Sequence, residues 1–256
     1  MYMDKFSLED MVGIVTGGGQ GLGRVYCHAF AEAGADVVVA EINPETGRET
    51  SEQVIAAGRR SIFVETDIRR HDDIQHMVDE TIEQFGRIDF LMNNAGLARV
   101  CPAVDLDEEE WRDIFDLNLN GMFFCCQAVG RHMISRKSGS IINISSVSDR
   151  IANRGRPHIS YNVSKAGVSH LTTLLACEWA PYHVRVNGIA PGYVATEKVK
   201  PALADPEYGQ QVIPWVPMQR PGEPEELGPL AIFLASPASS YMTGTTVVID
   251  GGYTCW

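Results

Sequence analysis

Short apolar runs alternate along the chain with longer stretches of helical period. Strands are predicted over 11–16 (MVGIVT), 36–41 (DVVVAE), 61–67 (SIFVETD), 87–96 (RIDFLMNNAG, running into a turn), 138–146, 183–192 and 245–250 (TTVVID). Helices are predicted over 21–34, 44–58, 71–86, 111–135, about 159–179 and 224–237. Between the sixth strand and the last helix lies a polar, proline-bearing stretch, 193–222. The strand segments are apolar almost throughout instead of alternating, which marks strands covered on both faces. Strand and helix in regular alternation then predict an α/β protein of Rossmann type, a doubly wound and parallel sheet, seven-stranded, in one domain spanning 1–256. No linker, repeat or low-complexity segment divides it.

Composition narrows the class. With 45% hydrophobic and 21% charged residues among 256, a sizeable core is available and disorder is not expected. A net charge of −12 repels phosphate backbones, so neither nucleic acid nor an anionic membrane is an expected partner. The N-terminal MYMDKFSLED lacks the apolar core of a signal peptide, and no run is long enough to span a bilayer. The six cysteines show no metal-ligand spacing, and Cys125-Cys126 in GMFFCCQAV read as buried thiols. A reducing, cytoplasmic location is expected.

Two local patterns carry chemistry. The first is TGGGQGLG, 16–23, between the first strand and the first helix. Gly17 suits a tight turn, a missing Cβ admits a pyrophosphate close to the backbone, and the helix N-terminus offers free N–H groups to the anion. Glu41 ends the second strand, 18 residues after Gly23, near the spacing of the acid that binds an adenosine ribose. A carboxylate there repels a 2′-phosphate, and neither 17–23 nor 40–44 contains Arg or Lys, so NAD is expected over NADP. The second pattern is SYNVSK, 160–165. Tyr161 and Lys165 are four apart and share a helix face. Such a pair is usually surface decoration. Beside a dinucleotide loop it suits alcohol oxidation, which needs a base for the hydroxyl proton, and the ammonium is expected to lower the phenol's usual pKa of about 10.

These pieces together resemble the short-chain dehydrogenase/reductase family: TGGGQGLG, NNAG (93–96), Asn118 in LNLNG, INISS (142–146), YNVSK (161–165) and the APG turn (190–192), in family order and over most of the chain. The resemblance implies a catalytic set of Tyr161 (acid/base), Lys165 (its partner), Ser146 (orienting the carbonyl) and Asn118, the last holding a water that links Lys165 to solvent. Ser148 stands at the commoner family spacing from Tyr161. Ser146 is preferred because it closes the INISS strand, with a two-residue insertion in the following loop. Ser145 then points to the opposite face as a structural residue. The resemblance also implies that NAD is held by Gly17, Gln20, Gly21, Leu22 and Gly23, by Glu41, by Asp67 and Ile68 at the adenine, by Asn93-Asn94, Ala95 and Gly96 along the ribose side, by Tyr161 and Lys165, and by Pro191, Gly192, Val194 and Thr196 at the nicotinamide amide.

Two loops, 147–160 and 193–218, are expected to shape the substrate pocket, and their many polar residues suit a small polyol, sugar or hydroxy acid, or an anionic tail. Ser148, Asn153 and Arg154 are the expected substrate contacts. The Asn153-Arg154 pair and the closing IDGGYTCW look like bacterial NAD-dependent polyol dehydrogenases of the family, including galactitol-type enzymes. That likeness implies a buried C-terminal tail, a Mg²⁺ as a candidate ligand at the Trp256 carboxylate, and a homotetramer joined through 111–135 and 159–179. The expected activity is NAD-dependent oxidation of a secondary alcohol to a ketone. The alternatives are a 3-oxoacyl-carrier-protein reductase, which shares the catalytic set, and a non-catalytic NAD-sensing protein on the same fold.

Overall fold

The apolar segments become seven strands: β1 (Val12–Thr16), β2 (Asp36–Glu41), β3 (Ser61–Glu65), β4 (Phe90–Asn93), β5 (Gly139–Ile144), β6 (Val184–Pro191) and β7 (Thr246–Ile249). In the computed structural model, which describes residues 1–256 apart from the side chains of 206 and 207, they form one sheet in the order β3-β2-β1-β4-β5-β6-β7. Every neighbouring pair is parallel. The helices are α1 (Gly21–Glu32), α2 (Pro44–Ala56), α3 (His71–Phe85), α4 (Glu108–Phe115), α5 (Met122–Arg136), α6 (Ile159–Trp179), α7 (Lys200–Ala204), α8 (Pro206–Val212) and α9 (Gly228–Ala235).

The unbroken apolar strands are explained by what covers each face. Val15, Val37 and Val39 point into a core shared with Tyr26 and Phe30 of α1 and Leu234 of α9. Their neighbours Ile14, Val38 and Ala40 point the other way, against Met77 of α3, Val129 of α5 and Leu175 of α6. Successive strand residues face opposite sides, so helices on both faces require both sets to be apolar. Each fully buried Val or Ile contributes about 1.5–3 kcal/mol relative to exposure, which favours this register over a one-residue slip.

Several boundaries differ from the sequence expectation. β4 stops at Asn93 because the next backbone groups leave the ladder, Asn94 N–H donating to Thr16 Oγ1 at 3.0 Å. The long helix expected over 111–135 begins earlier, at Glu108, where the Asp107 side chain caps the N–H of Glu110 at 2.7 Å. It is also interrupted by a π-helical turn, Asp116–Gly121, which carries Asn118. The polar stretch 193–222 holds two short helices, α7 and α8. The helix expected over 224–237 is a 3₁₀ turn, Pro224–Leu227, followed by α9.

All strands being parallel, their C-terminal ends share one edge. The glycine loop after β1, Glu41 on β2, Asp67 beyond β3, Asn94 beyond β4, Ser146 beyond β5 and Gly192 beyond β6 therefore meet. The order reverses between β1 and β4, and in such sheets the crevice outside that point receives the ligand. Among the described residues no helix is long and apolar enough to cross a membrane.

Candidate active site

A cleft of about 660 Å³ opens at that edge. Its cofactor-like half begins with the glycine loop. Gly17 has φ +62° and Gly21 φ +53°, the left-handed region where a side chain is strained. A Cβ on Gly21 would meet no atom within 4 Å, so the loop is a cradle open toward the cleft. Gly23 lies behind it, and a Cβ there would stand 1.9 Å from the carbonyl oxygen of Gly17, so only glycine lets α1 pack this close. No side chain caps α1 and no acid occupies its first turn, which leaves its N–H groups for an anion. Gly17, Gln20, Gly21 and Leu22 all line the cleft.

Glu41 is 3% exposed and lines the cleft beside this loop. Its Oε2 accepts from Gly19 N–H at 3.0 Å, and its Oε1 from the N–H groups of Ile42 and Asn43 at 3.0 and 3.1 Å. Asp67 and Ile68 follow on the wall, the Asp67 carboxyl held below its usual range by the Arg69 guanidinium at 2.7 Å. Asn94, Ala95 and Gly96 line the middle. Asn93 does not: it is 1% exposed and donates to Asn143 Oδ1 at 3.0 Å in the core, because side chains alternate along β4 and the NN pair splits between core and cleft. Pro191, Gly192, Val194 and Thr196 complete this half.

α6 supplies the second half. Its buried stripe, Ser164, Lys165, Val168, Thr172, Leu175, Ala176 and Trp179, has helical period and packs on the sheet, so Lys165 is drawn in and only 3% exposed. Its Nζ donates to the Ile144 carbonyl at 2.7 Å. Burial pushes the ammonium down to about 8. Tyr161, one turn earlier, keeps some surface toward the cleft, and its ring centre lies 5.7 Å from that Nζ. Burial raises the Tyr161 phenol above its usual value, a hydrogen bond with Ser146 draws it down, and the Asp149 charge raises it again. The expected lowering by Lys165 is therefore not seen in the protein alone. Desolvation sets the direction, and burial likewise disfavours the Lys165 ammonium.

Ser146 and Ser148 both line the cleft. Ser146 is the serine whose hydroxyl draws the Tyr161 phenol down; that hydroxyl donates to Ser148 Oγ and accepts the Ser148 N–H, both at 3.1 Å, while the Ser148 hydroxyl donates to Asn153 Oδ1 at 2.8 Å. Ser145 turns back to the carbonyl of Lys165 at 3.0 Å and to Ser169 at 2.8 Å. Asn118 is fully buried and off the cleft wall. Its Oδ1 accepts from Leu97 N–H and its Nδ2 donates to Leu97 O, both at 2.8 Å, with a further bond to Ser164 at 3.2 Å.

At the substrate end, Ser148 and Asn153 line the cleft as expected, and Arg154 does not. Its guanidinium lies 3.7 Å from the ring centre of Trp215, which does not line the cleft either. Arg156, His158, Tyr193 and Tyr208 line the wall instead. Tyr208 comes from α8, in a stretch with too little periodicity to reveal a helix. Trp256 is 75% exposed instead of buried within the chain, its indole N–H donating to Trp215 O at 3.1 Å. Among the described residues no group of three or more His, Cys, Asp or Glu side chains is arranged to hold a metal ion. Cys125 and Cys126 are fully buried, and burial pushes both thiols up, Cys126 to about 12.

A doubly wound parallel sheet with a dinucleotide-type loop opening beside a Tyr–Lys–Ser cluster defines a class, the nucleotide-dependent oxidoreductases of Rossmann type. Comparison with known proteins narrows it. Residues 17–254 match the family model described as enoyl-(acyl carrier protein) reductase. The chain is 42% identical to a galactitol 2-dehydrogenase of Rhizobium johnstonii, over 100% of this chain and 99% of that protein. It is 41% identical to a 2-dehydro-3-deoxy-D-gluconate 5-dehydrogenase of Escherichia coli, over 99% of each. Among solved structures, a gluconate 5-dehydrogenase from Burkholderia cenocepacia in complex with NADP and tartrate superposes with a TM-score of 0.95 at 34% identity, over 100% of both chains. The chain belongs to the short-chain dehydrogenase/reductase family and is an oxidoreductase.

Proposed function

We propose that this protein oxidises a secondary alcohol of a small polyol, sugar or hydroxy acid to a ketone with NAD, using Tyr161 as the acid/base. The observation that carries the reading is the convergence in one cleft of the glycine loop, the buried Lys165, Tyr161 one turn before it, and Ser146. The nicotinamide cofactor, when bound, supplies the acceptor for the hydride that leaves the alcohol carbon. Ser146 orients the alcohol oxygen and the carbonyl it becomes. Tyr161 takes the hydroxyl proton at its phenol oxygen, and Lys165 holds positive charge beside the phenolate. Asn118 braces this end, and the second lone pair of its Oδ1 is free to hold a water between Lys165 and solvent.

The residues fit the cofactor. Backbone N–H groups at the start of α1, among Gln20, Gly21 and Leu22, would hold the pyrophosphate over the Gly17 turn, with Gly23 allowing the helix its close approach. Glu41 would take the ribose hydroxyls, Asp67 and Ile68 the adenine, Asn94, Ala95 and Gly96 the second ribose. Pro191, Gly192, Val194 and Thr196 would take the amide. NAD is preferred because Glu41 brings a negative charge to the ribose position. Arg24, just beyond the loop, is turned to Gly19 O and to Glu49, at 2.8 and 2.7 Å, and does not line the cleft. The polar wall of Ser148, Asn153 and Arg156 supports a hydrophilic substrate over an acyl chain. Assembly as a cytoplasmic homotetramer through α5 and α6 belongs to the same reading, supported by exposed Ile159, Val163 and Leu174 on one face of α6.

The test is cofactor reduction, followed by the absorbance of reduced nicotinamide, against polyols, sugars, hydroxy acids and 3-hydroxyacyl thioesters, in wild type and Tyr161→Phe. Turnover of one hydrophilic class with NAD, abolished by Tyr161→Phe, is expected. Turnover of thioesters alone would assign the reductase, and NAD binding without any turnover would assign the sensor.

A further inference from the structure

We propose that the outer end of the cleft is a carboxylate subsite centred on Arg156, making the substrate a hydroxy acid or sugar acid in preference to a neutral polyol. The inference rests on the dehydrogenase reading above. Arg156 lies in the loop before α6 and lines the cleft. Its guanidinium stands 4.6 Å from the ring centre of Tyr208, on α8. Among the described residues no carboxylate lies within 4.0 Å of it. The neighbouring arginines are placed differently: Arg150 is paired with Asp149 at 2.6 Å and Arg69 with Asp67 at 2.7 Å. In a chain with 33 acidic residues and a net charge of −12, a guanidinium on a cleft wall without an acid is available to a ligand.

Its surroundings suit a carboxylate. The guanidinium lies over the Tyr208 ring and also draws that phenol's pKa down through an N–H, which leaves its remaining N–H groups as donors for a carboxylate. Burial and the Arg156 charge both hold His158 below the usual imidazole range, so the adjacent ring adds no second cation. Glu197 and Lys198 also border the cleft, are exposed and carry opposite charges, leaving Arg156 as the net charge of this end. Between Arg156 and the reaction centre runs a hydroxyl-reading wall. Ser148 donates to Asn153 at 2.8 Å, and Asn153 Nδ2 reaches Tyr193 Oη at 3.4 Å. A chain with a carbinol at Ser146, hydroxyls along this wall and an acid at Arg156 matches the lining from end to end.

The experiment compares matched acid and alcohol pairs in the presence of NAD: D-gluconate with D-glucitol by turnover, and L-tartrate with L-threitol by calorimetric binding. For Arg156→Gln the ratio of kcat/KM for the acid to that for the alcohol is expected to fall roughly 10- to 100-fold, the loss of a charge-assisted pair, with KM carrying the change and Arg156→Lys recovering part of it. Equal losses on acid and alcohol, or an unchanged ratio, would overturn the subsite while leaving the dehydrogenase reading intact. If no alcohol is turned over by wild type, tartrate binding decides: weakening in Arg156→Gln retains the subsite and rejects the dehydrogenase reading, and indifference rejects both.

Discussion

Lys165 donates from Nζ to the carbonyl of Ile144 at 2.7 Å while only 3% of the residue is exposed, so an ammonium is held inside the protein by one backbone oxygen. Its pKa of about 8 is depressed from 10.5. Between those values the unfolded chain binds a proton that the native chain does not, so stability rises with pH across this window. Below about pH 8 the native protein carries the full cost of the buried charge, about 3 kcal/mol. Lys165→Met removes this dependence. The Tm difference between variant and wild type should favour the variant more at pH 7 than at pH 10.5, whatever constant offset the lost bond to Ile144 adds. A difference that does not change with pH would mean that Lys165 is not titrating in this range.

The same variant should lose activity. Burial already lifts the Tyr161 phenol, and in the proposed mechanism the Lys165 charge is what favours the phenolate. Lys165→Met is expected to lower kcat for alcohol oxidation by at least about 100-fold at neutral pH, the residual rate still climbing with pH where wild type has levelled. A pH profile superposable on wild type would remove Lys165 from the proposed mechanism.

Ser146 and Ser148 can be separated by rate. The Ser146 hydroxyl draws the Tyr161 phenol down and donates to Ser148 Oγ, whereas the Ser148 hydroxyl donates to Asn153. Ser146→Ala should cost roughly 100- to 1000-fold in kcat, as loss of a donor to a developing oxyanion does. Ser148→Ala should cost about tenfold or less, mainly in KM. The reverse order would place the orienting hydroxyl at 148.

Glu41 ties the end of β2 to the glycine loop through Gly19. Glu41→Ala removes the negative charge from the proposed ribose site. The NAD over NADP preference, read as a ratio of kcat/KM, should fall by about tenfold or more, the size of one charge-assisted bond. An unchanged ratio would refute the ribose role.

Gly23→Ala tests the loop itself. The new methyl would meet backbone, the Gly17 carbonyl at 1.9 Å, and no side chain can swing away. Loss of more than about 1–3 kcal/mol of stability and of dinucleotide binding is expected. Normal titration of NADH fluorescence by the variant would show that α1 need not pack this close.

Much of the fold was legible because strand and helix periods are local. β2 runs over Asp36–Glu41 and α6 over Ile159–Trp179, as the apolar pattern predicts, since both patterns depend only on which neighbours must be buried. The π turn at Asn118 was not legible. It brings Gly121 against a segment distant in sequence, where a Cβ on Gly121 would meet the Ile68 carbonyl at 2.6 Å. α7 and α8 were missed because five- and seven-residue helices with prolines at their starts leave too short a pattern to read.

The site divides in the same way. The residue types and spacings of TGGGQGLG and YNVSK already state a dinucleotide loop and a phenol–ammonium pair, because their chemistry depends on neighbours within one or two turns of chain. Which loop residue faces the cleft is a long-range matter. Arg154 and Arg156 are alike in sequence, yet one stacks on Trp215 and the other on Tyr208 at the cleft wall. Asn93 and Asn94 likewise separate into core and cleft only because β4 is paired between β1 and β5. The depth at which Lys165 is buried, and with it the pull on its proton, was decided by α6 packing against the sheet, a property of the assembled layers and of no local segment.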